Sequence, residues 1–365
     1  MDFGEGMDDL AREQRSSRWL IRIAIAAVIV LLAAVIPSPY SIERPGPVVD
    51  TLGSVEIKGK EAPVVKIDDA KTYPTSGKLN LLTVSIMGTP DKPASWLSLV
   101  PALLDPSQRI APRDEFFPRG VTTEDRTKMN AVEMDSSQTA AAAAAFHELK
   151  EPVGTQFLVS QLASDGPAAG KLEEGDELRT VNGQRIADFE AFQKTVAATP
   201  ADTALSIGIV RDGAARTVEI TPTRVAGAET PMIGIAVALK IELPEDVHFS
   251  LENIGGPSAG LTFALAIYDK LTPGEMLEGK TVSGTGTMSP TGKVGAIGGL
   301  EQKMWAASRA GTDLFLMPVG NCADVPSSIP GGMEVVPVDT LGEAIAAIDQ
   351  KNSGGTPRGL ERCSG

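Results

Sequence analysis

The apolar residues of this chain change rhythm twice, and that change limits what it can fold into. Between 153 and 223 they come in short alternating runs separated by turn residues. Leu205, Ile207 and Ile209 alternate, Asp212-Gly213 turns the chain, Val218 and Ile220 alternate back, and Asn182-Gly183 is a tight-turn signal. Asp188 is placed to cap a helix carrying Phe189, Phe192 and Val196 on one side. Between 231 and 350, strand-like runs at 233–239, 247–251, 281–288, 294–297, 314–317 and 334–338 are interleaved with helical runs at 258–270, 300–310 and 341–349. The first pattern predicts a mostly β domain over 151–224. The second predicts an α/β (α+β) domain over 231–350.

Upstream, the signals over 54–150 are mixed. Residues 79–86 read as a strand and 96–104 as a short apolar helix interrupted by Pro101. A polar loop follows over 106–119, and 122–150 reads as a helix favoured by the alanine run 140–145. Residues 37–53 are Pro-rich and read as an extended stalk, and 351–365 as a Gly/Ser-rich flexible tail.

Residues 19–36 are apolar except for Arg22, and at ~1.5 Å per residue they would rise about 27 Å. Arg12, Arg15, Arg18 and Arg22 precede the unbroken apolar run, and only Arg44 follows closely. The expectation is a single-pass anchor in the cell membrane over 19–36, with 1–18 cytoplasmic and the remainder extracytoplasmic. A cleaved signal peptide competes with this reading, although no Ala-x-Ala site follows. Cys322 and Cys363 then lie outside the cytoplasm, where a disulfide is permitted; two unpaired thiols fit the sequence as well. The net charge of −14 argues against nucleic acid as a partner. There is no His-x₃-His or cysteine cluster to hold a metal, and no cofactor is expected.

Chemistry enters at Gly255-Gly256-Pro257-Ser258-Ala259-Gly260, at the mouth of an apolar helix. A serine at a helix start is often only a cap. It becomes a nucleophile when a base takes its proton and helix N–H groups face the developing oxyanion. Gly255, Gly256 and Ala259 form the candidate oxyanion loop. Both histidines, His147 and His248, precede the serine, so the Gly-x-Ser-x-Gly elbow of α/β-hydrolases, which needs a later histidine, does not apply. A His-Asp-Ser order fails because no Asp lies between His248 and Ser258. A desolvated lysine is the remaining base. Lys303 follows Gly298-Gly299-Leu300-Glu301-Gln302, while Lys270, Lys280 and Lys293 compete by composition. Residues 274–281 match the pattern Gly-x₄-Gly-Lys-Thr, but they run from a helix end into a strand and carry two glutamates, so no ATP site is expected.

Residues 231–350 resemble the proteolytic domain of Lon-type serine proteases, on Gly256 to Gly260, Thr285-Gly286 and Gly298 to Lys303. The resemblance implies Ser258 as nucleophile, Lys303 as general base and Thr285 as the hydroxyl that orients the lysine. Where many of that family carry an acidic residue three positions before the serine, this chain has Gly255. Residues 151–224 resemble a PDZ domain, on Gly166-Pro167-Ala168-Ala169, Leu172 to Leu178 and Val181-Asn182-Gly183. The nearest candidate for its carboxylate loop is Gly154-Thr155-Gln156-Phe157. The whole chain is similar to membrane-anchored, PDZ-containing Lon-like proteases. This implies an ATP-independent endopeptidase acting on proteins or peptides, and a hexameric ring. It also implies N-terminal strands for the proteolytic domain, which 79–86 and the helix near 128–150 would supply, with the PDZ domain inserted. The alternative is a PDZ scaffold bearing an inert Lon-like module.

Overall fold

The computed structural model describes residues 5–186, 189–200, 203–224, 230–251 and 254–364. The chain divides into two compact units: residues 1–149 with 245–365, and residues 150–244. The second unit is thus framed in sequence by the two halves of the first.

The first half begins with α1 (Glu5–Val35). There follow β1 (Tyr40–Asp50), β2 (Ser54–Ile57), β3 (Lys60–Pro63), β4 (Val65–Ile67), β5 (Lys78–Met87), α2 (Trp96–Leu104), β6 (Arg109–Pro112), α3 (Arg113–Phe116) and α4 (Thr123–Glu148). In α1 the apolar side chains from Trp19 to Val35 are exposed. Among the described residues no helix is long and apolar enough to cross a membrane. Residues 19–35 of α1 rise roughly 26 Å, short of the ~30 Å of a hydrocarbon core. The transmembrane helix expected over 19–36 is therefore not supported by the fold, and the side chains of 1–18 lie outside the described residues.

The stalk expected over 37–53 is instead strand β1, inside the main sheet. Its prolines are accommodated because the register with β5 shifts between Pro45 and Val48, where the ladder is interrupted. Gly46 is required there: a Cβ would lie 2.3 Å from Thr83 Oγ1. Helix α4 starts on a capping box, with Thr122 accepting from the Asp125 N–H and Asp125 accepting in return. Its alanine run 141–145 is fully buried.

The second unit comprises β7 (Gly154–Leu162), β8 (Glu177–Val181), β9 (Gln184–Arg185), α5 (Phe189–Ala198), β10 (Leu205–Arg211), β11 (Ala214–Ile220) and β12 (Ile235–Glu242). Its strands run in the order β11-β10-β8-β7-β12, antiparallel, over a core that includes Phe157, Leu178, Phe192, Ile207 and Ile220. Asn182, at the expected tight turn, has φ 49° and is followed by Gly183 at φ 76°. The strand read at 233–239 as part of the following domain is β12, paired with β7 from Ile235↔Leu162 to Glu242↔Gly154. The boundary expected at 231 accordingly falls near 245.

The second half of the first unit supplies β13 (Val247–Phe249), α6 (Gly260–Leu271), β14 (Thr281–Gly284), β15 (Thr287–Met288), β16 (Val294–Gly295), α7 (Leu300–Arg309), β17 (Leu314–Pro318), β18 (Glu334–Val338) and α8 (Leu341–Asn352). Its six-stranded sheet has the order β18-β17-β14-β5-β1-β6. β5, β14, β17 and β18 are parallel, β1 runs antiparallel to them, and β6, antiparallel to β1, returns to their direction. Strand β17 is buried on both faces, which explains its unbroken apolar run. Phe315 and Met317 pack with Leu300 and Met304 of α7. Leu316 faces the other way, toward Gly284 and the Thr262 and Leu261 side chains of α6. Helices α6 and α7 thus cover opposite faces of one sheet.

The tail expected to be flexible is tied down. Cys363 is disulfide-bonded to Cys322, closing a separation of 41 residues, and both cysteines pack against the α7 core. Breaking this bridge should lower the unfolding free energy by about 4 kcal/mol, the loop-closure value for this separation. Guanidinium unfolding of the oxidised and reduced protein measures it; coincident curves would show that the bridge adds nothing.

Candidate active site

Ser258 is held by contacts that surround it in the first unit. Gly256 has φ 90° and ψ 157°, an extended left-side conformation open to glycine. Its N–H donates to the Asn130 carbonyl of α4 at 2.9 Å. Ser137 Oγ, also on α4, donates to the Pro257 carbonyl at 2.9 Å. Residues Pro257–Ala259 make a single 3₁₀ turn that runs into α6. On the other side, the Gly286 N–H and Thr285 Oγ1 both donate to the Ser258 carbonyl, at 2.9 and 3.2 Å. Leu261 N–H donates to the Gly286 carbonyl at 3.1 Å. The serine is half-buried, so its hydroxyl remains reachable.

Lys303 projects from the first turns of α7. Its Nζ donates to Ser258 Oγ at 2.8 Å and to Thr285 Oγ1 at 3.1 Å. Lys303 is 2 % exposed and Thr285 fully buried. Burial pulls the lysine amine down to about 7, with the Glu43 carboxylate acting in the opposite direction. Both hydrogen-bond partners of the amine are neutral hydroxyls, so neither neutralises a charged ammonium as a carboxylate would.

Ser258, Lys303 and Thr285 are therefore brought together in space. Of the competing lysines, Lys280 is engaged with Asn352 Oδ1 at 2.9 Å, and Lys293 is exposed. His248, on a strand paired with β4, pairs with Asp68 at 3.0 Å. The P-loop-like segment is closed on itself: Gly279 N–H donates to Ser76 Oγ, which donates to Glu275. The three oxyanion-loop candidates fare differently. Gly256 has spent its N–H on Asn130 and offers no donor in this arrangement. Gly255 lies against α4, where a Cβ would be 2.7 Å from Asn130 Cβ, so no acidic side chain fits there. Ala259 is buried at the junction with α6. Asn130 and Ser137 carried no sequence signal, because their roles arise from α4 lying beside a loop more than a hundred positions away.

A second site lies in the second unit: a groove of about 750 Å³ between α5 and the start of β12. Phe189, Phe192 and Val196 line one side, and Met232, Ile233 and Ile235 the other. Beyond it, β12 is an edge strand of its sheet. Gly234 has φ 77°. The segment Ile233-Gly234-Ile235 sets this glycine between two apolar residues that line the groove. Gly154 itself lies opposite Glu242, at the other end of the β7–β12 ladder.

The family model for the Lon protease (S16) C-terminal proteolytic domain matches residues 241–350, and that for the PDZ domain matches 120–221. Lon protease of Rhizobium meliloti (strain 1021) is 39% identical over 94 residues, 25% of this chain and 11% of that protein. Lon protease of Neorickettsia sennetsu is 37% identical over 108 residues, 28% of this chain and 13% of that protein. The chain thus spans about a tenth of the length of the curated relatives it matches. A solved PDZ domain of an SdrC-like protein from Listeria monocytogenes is 22% identical, with a TM-score of 0.21, over 22% of this chain and 85% of that one. The chain therefore carries a segment similar to a Lon-type proteolytic domain and a segment similar to a PDZ domain.

Proposed function

We propose that the chain is a serine endopeptidase in which Ser258 is the nucleophile and Lys303 the general base. The observation that carries this reading is the 2.8 Å contact between Lys303 Nζ and Ser258 Oγ, made by an amine that burial pulls down to about 7. With the amine neutral, the contact reverses and the Ser258 hydroxyl donates to the nitrogen lone pair. Oγ attacks the peptide carbonyl as Nζ takes the proton, forming a tetrahedral oxyanion near the start of α6. The ammonium then protonates the leaving amine, and the acyl-enzyme remains. Water, giving its proton to the same Nζ, releases the acid. Thr285 Oγ1 fixes the rotamer of the lysine and steadies the Ser258 carbonyl.

No nucleotide step enters this scheme, so peptide hydrolysis should proceed without ATP. Ser258→Ala and Lys303→Ala should each abolish it, and Lys303→Arg should too, because a guanidinium stays protonated. The rate should rise with pH through a midpoint near 7, as the amine loses its proton. Hydrolysis retained by the Ser258 or Lys303 variants, measured with a fluorogenic peptide, would refute the assignment and favour an inert module.

The groove in the second unit is read as a peptide site, in which an extended chain adds to the edge of β12 and places an apolar residue between α5 and Met232. Met232→Asp should weaken peptide binding at least tenfold by calorimetry without lowering the melting temperature; unchanged affinity removes the groove from the reading.

Attachment to lipid extends the proposal. It is supported by the exposed apolar side chains of α1 and by the arginines that precede them in sequence. An extracytoplasmic site of action goes with it. Co-sedimentation with liposomes should be lost when residues 1–35 are removed; equal sedimentation of both forms would exclude α1 as the attachment.

A further inference from the structure

Glu43 lies on β1, about 260 positions from Lys303 in sequence, and is 4 % exposed. A carboxylate is rarely buried without a partner. Here Arg109 Nε of β6 donates to Glu43 Oε2 at 2.8 Å, and the other end of the same guanidinium donates to Glu115 of α3 at 2.7 Å. The second oxygen of Glu43 points at α7. Gly299, the residue before that helix, has φ 67° and no side chain to cap it. A Cβ on Gly299 would lie 2.8 Å from Glu43 Oε1. The carboxylate therefore occupies the space that a capping side chain would fill, where the helix dipole favours negative charge. One turn on, Lys303 N–H donates to the Gly299 carbonyl at 3.1 Å.

We propose that Glu43, held by Arg109, is a positioning residue for Lys303: it fixes the start of α7 and sets the pH range in which the amine can serve as base. The inference rests on the Ser258–Lys303 reading. The charged residues on the elements packed against α7 include Glu43, Arg44 and Asp50 on β1, Lys78 on β5, Asp324 in the turn Val319–Asp324, Glu334 on β18, and Glu361 and Arg362 in the turn Leu360–Ser364; α7 itself carries Glu301 and Arg309. Among all of these, only Glu43 contributes a charge effect on the Lys303 amine, and it favours the protonated form. Burial pushes the other way and is the larger effect. Arg109 is 43% exposed and shared with Glu115, so Glu43 keeps part of its field rather than being cancelled.

The test is the rate at which a fluorophosphonate probe modifies Ser258 in the full-length protein, from about pH 5 to about pH 9. In Glu43→Gln the protonated amine loses its favourable neighbour, and the midpoint of the acidic limb should fall by roughly one pH unit. One unit below the wild-type midpoint, the variant should then label about fivefold faster than wild type. Glu43→Asp keeps the charge but withdraws it by one methylene, and should shift the midpoint in the same direction by less. A purely structural role would lower the rate at every pH and leave the midpoint in place. An unmoved midpoint in whichever of the two variants retains a cooperative melt overturns the inference. Absence of labelling in the wild type at every pH would sink the Ser258–Lys303 reading and this inference with it.

Discussion

The burial of one amine governs this molecule. Lys303 sits inside the first unit with two hydroxyls for company, and removing an ammonium from water is costly enough that the neutral form becomes accessible near neutral pH. That burial needs α7 pressed on one face of a sheet while α6, bearing Ser258 at its mouth, is pressed on the other. The segment from Thr285 to Gly286, at the end of a central strand, links the two. Replacing any of these contacts by solvent would restore the charge on the amine.

The sheet that supports this arrangement shows why backbone packing matters as much as side-chain identity. Gly255 and Gly260 leave no room for a side chain: one faces Asn130 on α4 and the other Met288 on β15. The Ser258 loop is thus gripped by backbone on two sides, and Ser137 adds a hydrogen bond from α4. Rigid seating of the serine is what lets a single hydrogen bond to the lysine carry chemical meaning.

Local pattern marks Ser258 as a candidate but leaves Lys303 among Lys270, Lys280 and Lys293, and only the resemblance to Lon-type domains singles it out. The strand at 78–87 and the helix at 123–148 were readable from their residue types. Strand β1 was hidden by Pro45 and Pro47, which argue against a strand unless a bulge absorbs them. Strand β12 was read as a strand but given to the wrong domain, because its pairing with β7 is a contact across about 80 positions that no local signal reports. The glycines and serines of the tail suggest mobility, whereas the bridge to Cys322, the Arg362–Glu343 ion pair and the packing of Leu360 hold it. Glu43 was invisible for the same reason as Asn130 and Ser137: its meaning lies in what the fold brings beside it.

The order of strands also has a consequence in time. Strand β5 pairs in parallel with β14, Lys78 opposite Thr281, although some 200 residues lie between them. During synthesis β5 emerges long before its partner β14, and Ser258 and Lys303 emerge on either side of that partner. A chain that stops short of α7 lacks the buried amine that faces Ser258. The central pairing of the sheet therefore waits until the segments on both sides of the second unit have been made.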